Sequence, residues 1–189
     1  QSRLVTLIQL LVYLFKNWVQ LVSHRMNYLM SDIRSKILDL DTLKEKSITI
    51  QNRGKKIVFT NGCFDILHSG HIHTLSEAKK NGDILIVAVN SDSSVRELKG
   101  KDRPINNQND RALIIACLSF VDYVIVFDEE TPEKIICDLL PDVLIKGKDY
   151  EGKMIAGENC LKANGKVIKL IDLIENTSTT NIINKILNR

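Results

Sequence analysis

The chain has 189 residues, enough for one domain with a sizeable core and an appendage. Its 26 basic and 23 acidic residues are unevenly placed: residues 1–30 hold Arg3, Lys16 and Arg25 and no acid, which leaves the rest formally neutral. A neutral body excludes the basic field that non-specific nucleic-acid binding requires, and four widely spaced cysteines (Cys63, Cys117, Cys137, Cys160) without a C-x-x-C pair favour a reduced, cytoplasmic protein over a disulfide framework.

The first element, "LVTLIQLLVYLFKNWVQLV" (4–22), approaches the length of a membrane span, but Gln9, Lys16, Asn17 and Gln20 interrupt it. Gln9, Tyr13, Lys16 and Gln20 recur at helical spacing and give the helix a polar face. An interfacial helix or an upstream extension therefore fits at least as well as a span, and no small-residue cleavage site follows. Residues 1–30 are expected to lie outside the functional domain, and the catalytic part is expected to need no membrane. Residues 31–54 read as a helical lead-in closed by a turn at "NRGKK", and residues 55–189 as the functional domain.

From there short β-branched runs alternate with helical segments. "KIVFT" (56–60), "ILIVAVN" (84–90), "YVIVF" (123–127), "VLIKG" (143–147) and "VIKLI" (167–171) predict five strands. Most are continuously apolar, the pattern of buried parallel strands. Helices are expected near 70–81, 108–119, 132–139, 156–164 and 179–187. Thr131 is placed as an N-cap with Pro132 at the first helical position, and "KNGD" and "ANGK" supply glycines where helices stop. The alternation implies an α/β fold, a Rossmann-like doubly wound five-stranded parallel sheet with helices on both faces.

In such sheets ligands bind beyond the carboxyl ends of the strands. That rule selects "NGCFDILHSGH", "NSDSSVRELKGKDRP", "KGKDY" and "ENTSTTN", four loops rich in groups that suit phosphate. Three of the four histidines, His68, His71 and His73, fall within six positions of the first loop. His68 and His71 can project from one side of a first helical turn, with Gly70 opening the backbone and the turn's free amides favouring an anion. Two imidazoles there could donate to phosphate oxygens during phosphoryl transfer. Two other readings stay open: a zinc site completed by Cys63 and His73, whose spacing matches no standard arrangement, and an inert helix-capping pair. In the second loop Arg96, Lys99, Lys101 and Arg103 suit a polyanion, or form a solvated charged surface. Arg111 begins an apolar helix and either reaches the same site or lies on the surface. Asn90 and Asp92 face ligand hydroxyls, or serve only as strand-end turn residues.

"TNGCFDILHSGHIHTL" resembles the H-x-G-H nucleotidyltransferase superfamily. Together with "VAVNSDSSVRELKG", "DRPIN", "LPDVLIKGKDY" and "STTNII" it resembles, more narrowly, the adenylyltransferases of ADP-heptose synthesis, over about residues 38–189. Nothing in the chain resembles the sugar kinase to which that domain is often fused, so it reads as a stand-alone adenylyltransferase or a piece of the fusion. The resemblance implies that D-glycero-β-D-manno-heptose 1-phosphate attacks the α-phosphorus of ATP to give ADP-heptose and pyrophosphate. A cytidylyltransferase acting on an alcohol phosphate and a non-catalytic nucleotide-binding module are the alternatives. By the same resemblance His68, His71 and Lys99 serve the reacting phosphates, and Thr60, Asn61, Gly62, Phe64, Asp65 and Gly70 shape the first phosphate-binding turn. Lys146, Gly147 and Asp149 of "KGKDY" and Ser178, Thr179 and Thr180 at the last helix contact nucleotide phosphates, with Arg111 a further candidate. Asn90, Asp92 and Arg103 would meet the substrate. Lys148 stands where the family commonly has glycine, which puts the local backbone in question. Mg²⁺ is expected to arrive on ATP without a dedicated protein cage, and a homodimer is the expected assembly.

Overall fold

The structure is a computed structural model that describes residues 2–174 and 177–188, with side chains from residue 13 onward. Residues 175 and 176 of the loop "ENTSTTN", and the side chain of Gln9, lie outside the described residues. The chain divides into two compact units, residues 1–35 and 36–189. The first is one long helix, α1 (Ser2–Arg34). Among the described residues no helix is long and apolar enough to cross a membrane.

The second unit opens with α2 (Leu40–Asn52), capped by the Asp39 carboxylate, which accepts from Thr42 N at 2.8 Å. The turn at Gly54 takes a positive φ of 71° before β1 (Ile57–Gly62). Strands β2 (Ile84–Asn90), β3 (Tyr123–Phe127), β4 (Val143–Gly147) and β5 (Val167–Ile171) complete an all-parallel sheet of order β3-β2-β1-β4-β5. Four of the five strands have the expected bounds, and β1 begins one residue later and runs two residues further.

Strand residues alternate between two covered faces, as a period of two requires. Ile57, Phe59, Ile86, Ala88 and Leu144 pack in one cluster with Leu43 of α2, Ile135, Ile136 and Leu139 of α6 (Glu133–Leu139) and Leu161 of α7 (Glu158–Ala163). Val58, Leu85, Val87 and Val89 point the other way, where α3 (Ser69–Lys79) and α5 (Gln108–Ala116) cover them. Each such side chain contributes roughly 1.5–3 kcal/mol by leaving water. This explains why most of the runs are nearly continuously apolar; β5, whose residues are half-buried or exposed, is the exception.

Three local expectations are corrected. "SDSSVRELK" was expected as part of a loop, yet Asp92–Lys99 forms α4, with the Ser91 hydroxyl accepting from Ser94 N at 3.2 Å and Gly100 ending it at φ 99°. The N-cap of α6 is Pro132, not Thr131, because Pro132 does not join the helix. Cys137 and Cys160 form a disulfide, against the expectation of free thiols, while Cys63 and Cys117 are free. Helices α6 and α7 share one face of the sheet and bring these two Cα atoms to 5.7 Å, a proximity that their 23-residue separation does not reveal.

Candidate active site

Chain leaving β1 crosses to β2 on one side of the sheet, and chain leaving β4 crosses to β5 on the other. The carboxyl ends of these two adjacent strands therefore open a crevice. There the structure has a cleft of about 1220 Å³, lined by the ends of β1 and β4, the first turn of α3, the last turn of α4 and the start of α8 (Thr179–Leu187).

His68 is the N-cap of α3 in extended conformation, but its side chain makes no capping hydrogen bond, which removes the inert capping role. Its ring stacks on that of His71 at 3.7 Å between centroids, 22° from parallel. Phe64, held at φ 48°, sets its ring edge-on against His71 at 5.2 Å. Gly70 is required because a Cβ there would run into the Thr177 hydroxyl and the His68 ring. Nδ1 of both histidines is buried and has no hydrogen-bond partner among the described residues. Neither Cys63 nor His73 completes a metal set: Cys63 faces Asn90, His73 does not line the cleft, and no group of three His, Cys, Asp or Glu side chains converges among the described residues.

Burial lowers the pKa of both rings, and for His71 the nearby His68 adds to burial and brings it to about 4. The pair is therefore neutral at pH 7, each ring carrying one N–H. The unfolded chain takes up a proton near 6.5 that native His71 refuses until about 4. The stability present above pH 6.5 is thus lost as pH falls toward 4. Unfolding free energies from urea denaturation across that window should decline by up to about 3 kcal/mol, and His71→Asn should flatten the decline.

Lys146, at the end of β4, is only 5 % exposed. Its Nζ donates to Asn61 Oδ1 and lies 4.9 Å from the centre of the Tyr150 ring, but it forms no salt bridge among the described residues. Burial brings its pKa down to about 8 despite the nearby Asp149 charge. A cation kept out of water without a paired carboxylate weakens the fold. Lys146→Met should accordingly hold the unfolding free energy or raise it by about 1–2 kcal/mol. It should also lower kcat/KM for a phosphate-bearing substrate about 10–100-fold, the worth of one charge-assisted hydrogen bond. Native stability should rise from pH 8 to 10.5, where the folded amine is neutral and the unfolded one charged, and the variant should lack that rise. A lowered midpoint with unchanged kcat/KM would mark Lys146 as purely structural.

Several expected site residues frame the cleft without facing it freely. Thr60 is buried, and its hydroxyl donates to Ile145 O at 3.1 Å, tying β1 to β4. Asp65 is engaged throughout: Arg103 Nε donates to one oxygen at 2.5 Å, and the amides of Ile105 and Asn106 donate to the other at 2.7 and 3.0 Å. It anchors a loop and is not free to meet a nucleotide.

Arg111 differs most from expectation. Its side chain is fully buried and lies neither on the surface nor in the cleft wall. It donates to Asn106 O, Cys63 O and Asp92 Oδ1 at 2.9, 2.6 and 2.8 Å. That third bond draws Asp92 away from the cleft, which it does not line. Asn90 does line it, with its amide donating to Ser94 Oγ at 3.0 Å.

Lys99 is exposed at the end of α4 and lines the cleft with Arg103. Gly62 lines it too, and a Cβ there would press on the Phe64 ring at 3.2 Å. Gly147 leaves room for the Asp149 carboxylate and for Leu173. Lys148, in the family's glycine position, has no positive φ; it starts a short 3-10 turn (Lys148–Tyr150) and pairs with Asp172 at 2.8 Å. The question its identity raised about the backbone is resolved.

Ser178 caps α8 by accepting from Asn181 N at 3.0 Å, Thr179 Oγ1 donates to Ile66 O at 3.2 Å, and exposed Thr180 lines the cleft. The free amides at the starts of α3 and α8 thus face one cavity. Sequence reasoning missed Tyr150, although it sits inside "KGKDY", and the apolar wall of Pro132, Met154, Leu173 and Ile174.

Comparison with known proteins agrees with this geometry. A family model described as cytidylyltransferase-like matches residues 59–185. The chain is 53 % identical over 156 residues to the "Bifunctional protein HldE" of Campylobacter fetus subsp. fetus, covering 82 % of this chain and 32 % of that protein. It is 52 % identical over 153 residues to the protein of the same name in Wolinella succinogenes, covering 81 % of this chain and 31 % of that protein. The chain thus spans about a third of the length of these curated relatives. Among solved structures, a lipopolysaccharide core biosynthesis protein from Thermoplasma volcanium is 36 % identical, with a TM-score of 0.53 over 66 % of this chain and all of that one. Pantoate-beta-alanine ligase from Francisella tularensis shares the fold alone, at 17 % identity and a TM-score of 0.52 over 81 % of this chain and 79 % of that one.

Proposed function

The chain belongs to the cytidylyltransferase-like family, and from that premise we propose that it is an adenylyltransferase joining ATP and D-glycero-β-D-manno-heptose 1-phosphate into ADP-heptose and pyrophosphate. The observation that carries a nucleotidyl transfer is the His68–His71 pair. Two stacked, neutral imidazoles with unpartnered buried nitrogens stand at a helix start, opposite Lys146 and the start of α8. The choice of ATP and the heptose phosphate is supported by about 50 % identity to proteins named HldE and by the motif set of the ADP-heptose adenylyltransferases.

In the proposed reaction a phosphate oxygen of the sugar 1-phosphate attacks the α-phosphorus in line. A new oxygen–phosphorus bond forms there as the bond to the bridging oxygen of the β-phosphate breaks, and pyrophosphate leaves. The nucleophile is already ionised, so no general base is needed. His68 and His71 donate to the α-phosphate oxygens as charge builds, while Lys146 and Lys99 offset the charge of the reacting phosphates. The amides opening α8, with Thr180, seat the β- and γ-phosphates. Asn90 and Arg103 remain the groups for sugar or nucleotide hydroxyls and phosphate.

Mg²⁺ belongs to this reading as the partner of ATP. In this reading the ion is carried chiefly by phosphate oxygens and water. The reading also includes a cytoplasmic setting, where ATP is supplied. It includes a homodimer, for which β5 offers an edge that pairs with no further strand among the described residues and exposes Val167 and Leu170.

The test is pyrophosphate release from ATP plus heptose 1-phosphate, run beside CTP with the same sugar phosphate and with glycerol 3-phosphate. Turnover that requires ATP and the heptose phosphate supports the proposal. Turnover with CTP and the alcohol phosphate would replace it with a cytidylyltransferase, and absence of turnover with every pair would leave a binding module.

A further inference from the structure

We propose that α1 is an interfacial membrane anchor, lying in the headgroup layer of an anionic bilayer and tethering the nucleotidyltransferase unit to it. The observations are confined to this helix and hold whatever the cleft turns over.

Helix α1 forms a unit of its own, and its described side chains are open to water except Met30 and Ile33, which are half-buried. Tyr13, Phe15, Trp18 and Leu21 are 63, 64, 59 and 68 % exposed. A helix of 33 residues gains most of its stability by burying an apolar face, so a helix of this composition needs a partner phase.

Residue spacing states what that phase is. Lys16, Gln20, Asn27 and Arg34 follow one another at intervals of four, seven and seven, which places them in one narrow stripe along the helix. A polar stripe along this length is incompatible with burial on all sides, so the helix does not cross a bilayer. Leu14, Trp18, Val22 and Leu29 stand opposite, within an apolar arc. A coiled-coil partner would cover only a narrow seam of that arc, whereas a lipid surface covers it all.

Charge selects the lipid. Arg3, Lys16 and Arg25 meet no acid before Asp32, so the whole formal charge of +3 resides in this segment while the remainder is neutral. Arg25 falls on the apolar side, where its long stem can lie along the hydrocarbon as the guanidinium returns to the phosphates. Tyr13, Trp18 and Tyr28 are the residue types that settle at headgroup level.

Trp18 is the sole tryptophan, so its emission reports this helix alone in the full chain. Titration with vesicles of phosphatidylcholine plus phosphatidylglycerol should shift the emission to the blue, bromine-labelled lipid should quench it, and salt should reverse it. Pure phosphatidylcholine should bind far more weakly. Lys16→Gln with Arg25→Gln should weaken partitioning about 25-fold, since each basic residue near such a surface is worth about five-fold. Phe15→Asp with Val22→Asp should abolish it, while Gln20→Ser on the polar stripe should not change it. Three results would overturn the proposal: no shift with anionic vesicles, equal binding to neutral ones, or a blue shift without lipid that grows with protein concentration. The last would show a second copy covering the face.

Discussion

Replacing His68 or His71 by alanine lowers kcat about 10²–10³-fold while ATP binding weakens far less. That is the expected loss when one preorganised donor to developing charge is removed, on the order of 3 kcal/mol. The geometry fixes the direction of the effect. Both rings are neutral, stacked at 3.7 Å and unpartnered at Nδ1, so they do little for the free protein that a smaller side chain would forfeit. Asparagine at either position should retain part of the activity, since it still donates a hydrogen bond at similar reach. His73→Ala should be nearly silent, because its ring does not line the cleft. Single-turnover rates beside ATP dissociation constants separate the two effects. Equal losses in binding and rate would assign the pair to ground-state recognition. Stoichiometric zinc, lost in all three variants and in Cys63→Ser, would defeat the phosphate-binding account.

Arg111→Met is expected to destabilise the fold by about 3–5 kcal/mol, the range for breaking a buried ion pair from one side. The guanidinium reaches three acceptors on three segments: Cys63 O after β1, Asn106 O in the loop before α5, and Asp92 at the start of α4. Methionine fills similar space but leaves two carbonyls and a carboxylate without their donor. Lysine should rescue little, because a single ammonium lacks the planar fork that meets three directions. Urea denaturation measures the loss, and Arg111→Met with Asp92→Asn should lose less than Arg111→Met alone, since the stranded charge is gone. Activity should fall as well, because this arginine holds together the two segments that carry Lys99 and Arg103. A variant as stable as the parent would show that water replaces the guanidinium.

These two predictions mark how far the sequence could be read. The strands were legible because Ile84–Val89 and Val124–Phe127 are largely buried on both faces and so carry no polar position to confuse the pattern. The histidine pair was legible because its placement depends only on local helical spacing after a strand. Helix α4 was not, since "SDSS" offers the side-chain hydrogen bonds of a turn and only Val95 and Leu98 supply an apolar face. Its cap at Ser91 was the available signal. Arg111 was read as a ligand or surface group because its partners come from 5, 19 and 48 residues away, and no local pattern encodes such convergence. The same holds for Asp65, whose loop ligands lie 38 to 41 residues downstream. Tyr150 escaped notice because its contact with Lys146 arises from the turn that follows β4.

The buried amine of Lys146 has a chemical consequence apart from binding. Held at about 8, it is roughly 10 % free base at pH 7, several hundred-fold more than an ordinary lysine near 10.5. Among the lysines that line or flank the cleft it is therefore the one expected to react first with a small acylating agent or aldehyde that fits there. Brief treatment with such a reagent at neutral pH should modify position 146 ahead of Lys148 and Lys153, as peptide mass spectrometry would show. A nucleotide seated in the cleft should shield it. The residue thus offers a covalent handle for inhibitors that carry a weak electrophile beside a phosphate mimic, and their selectivity would come from acidity rather than from shape.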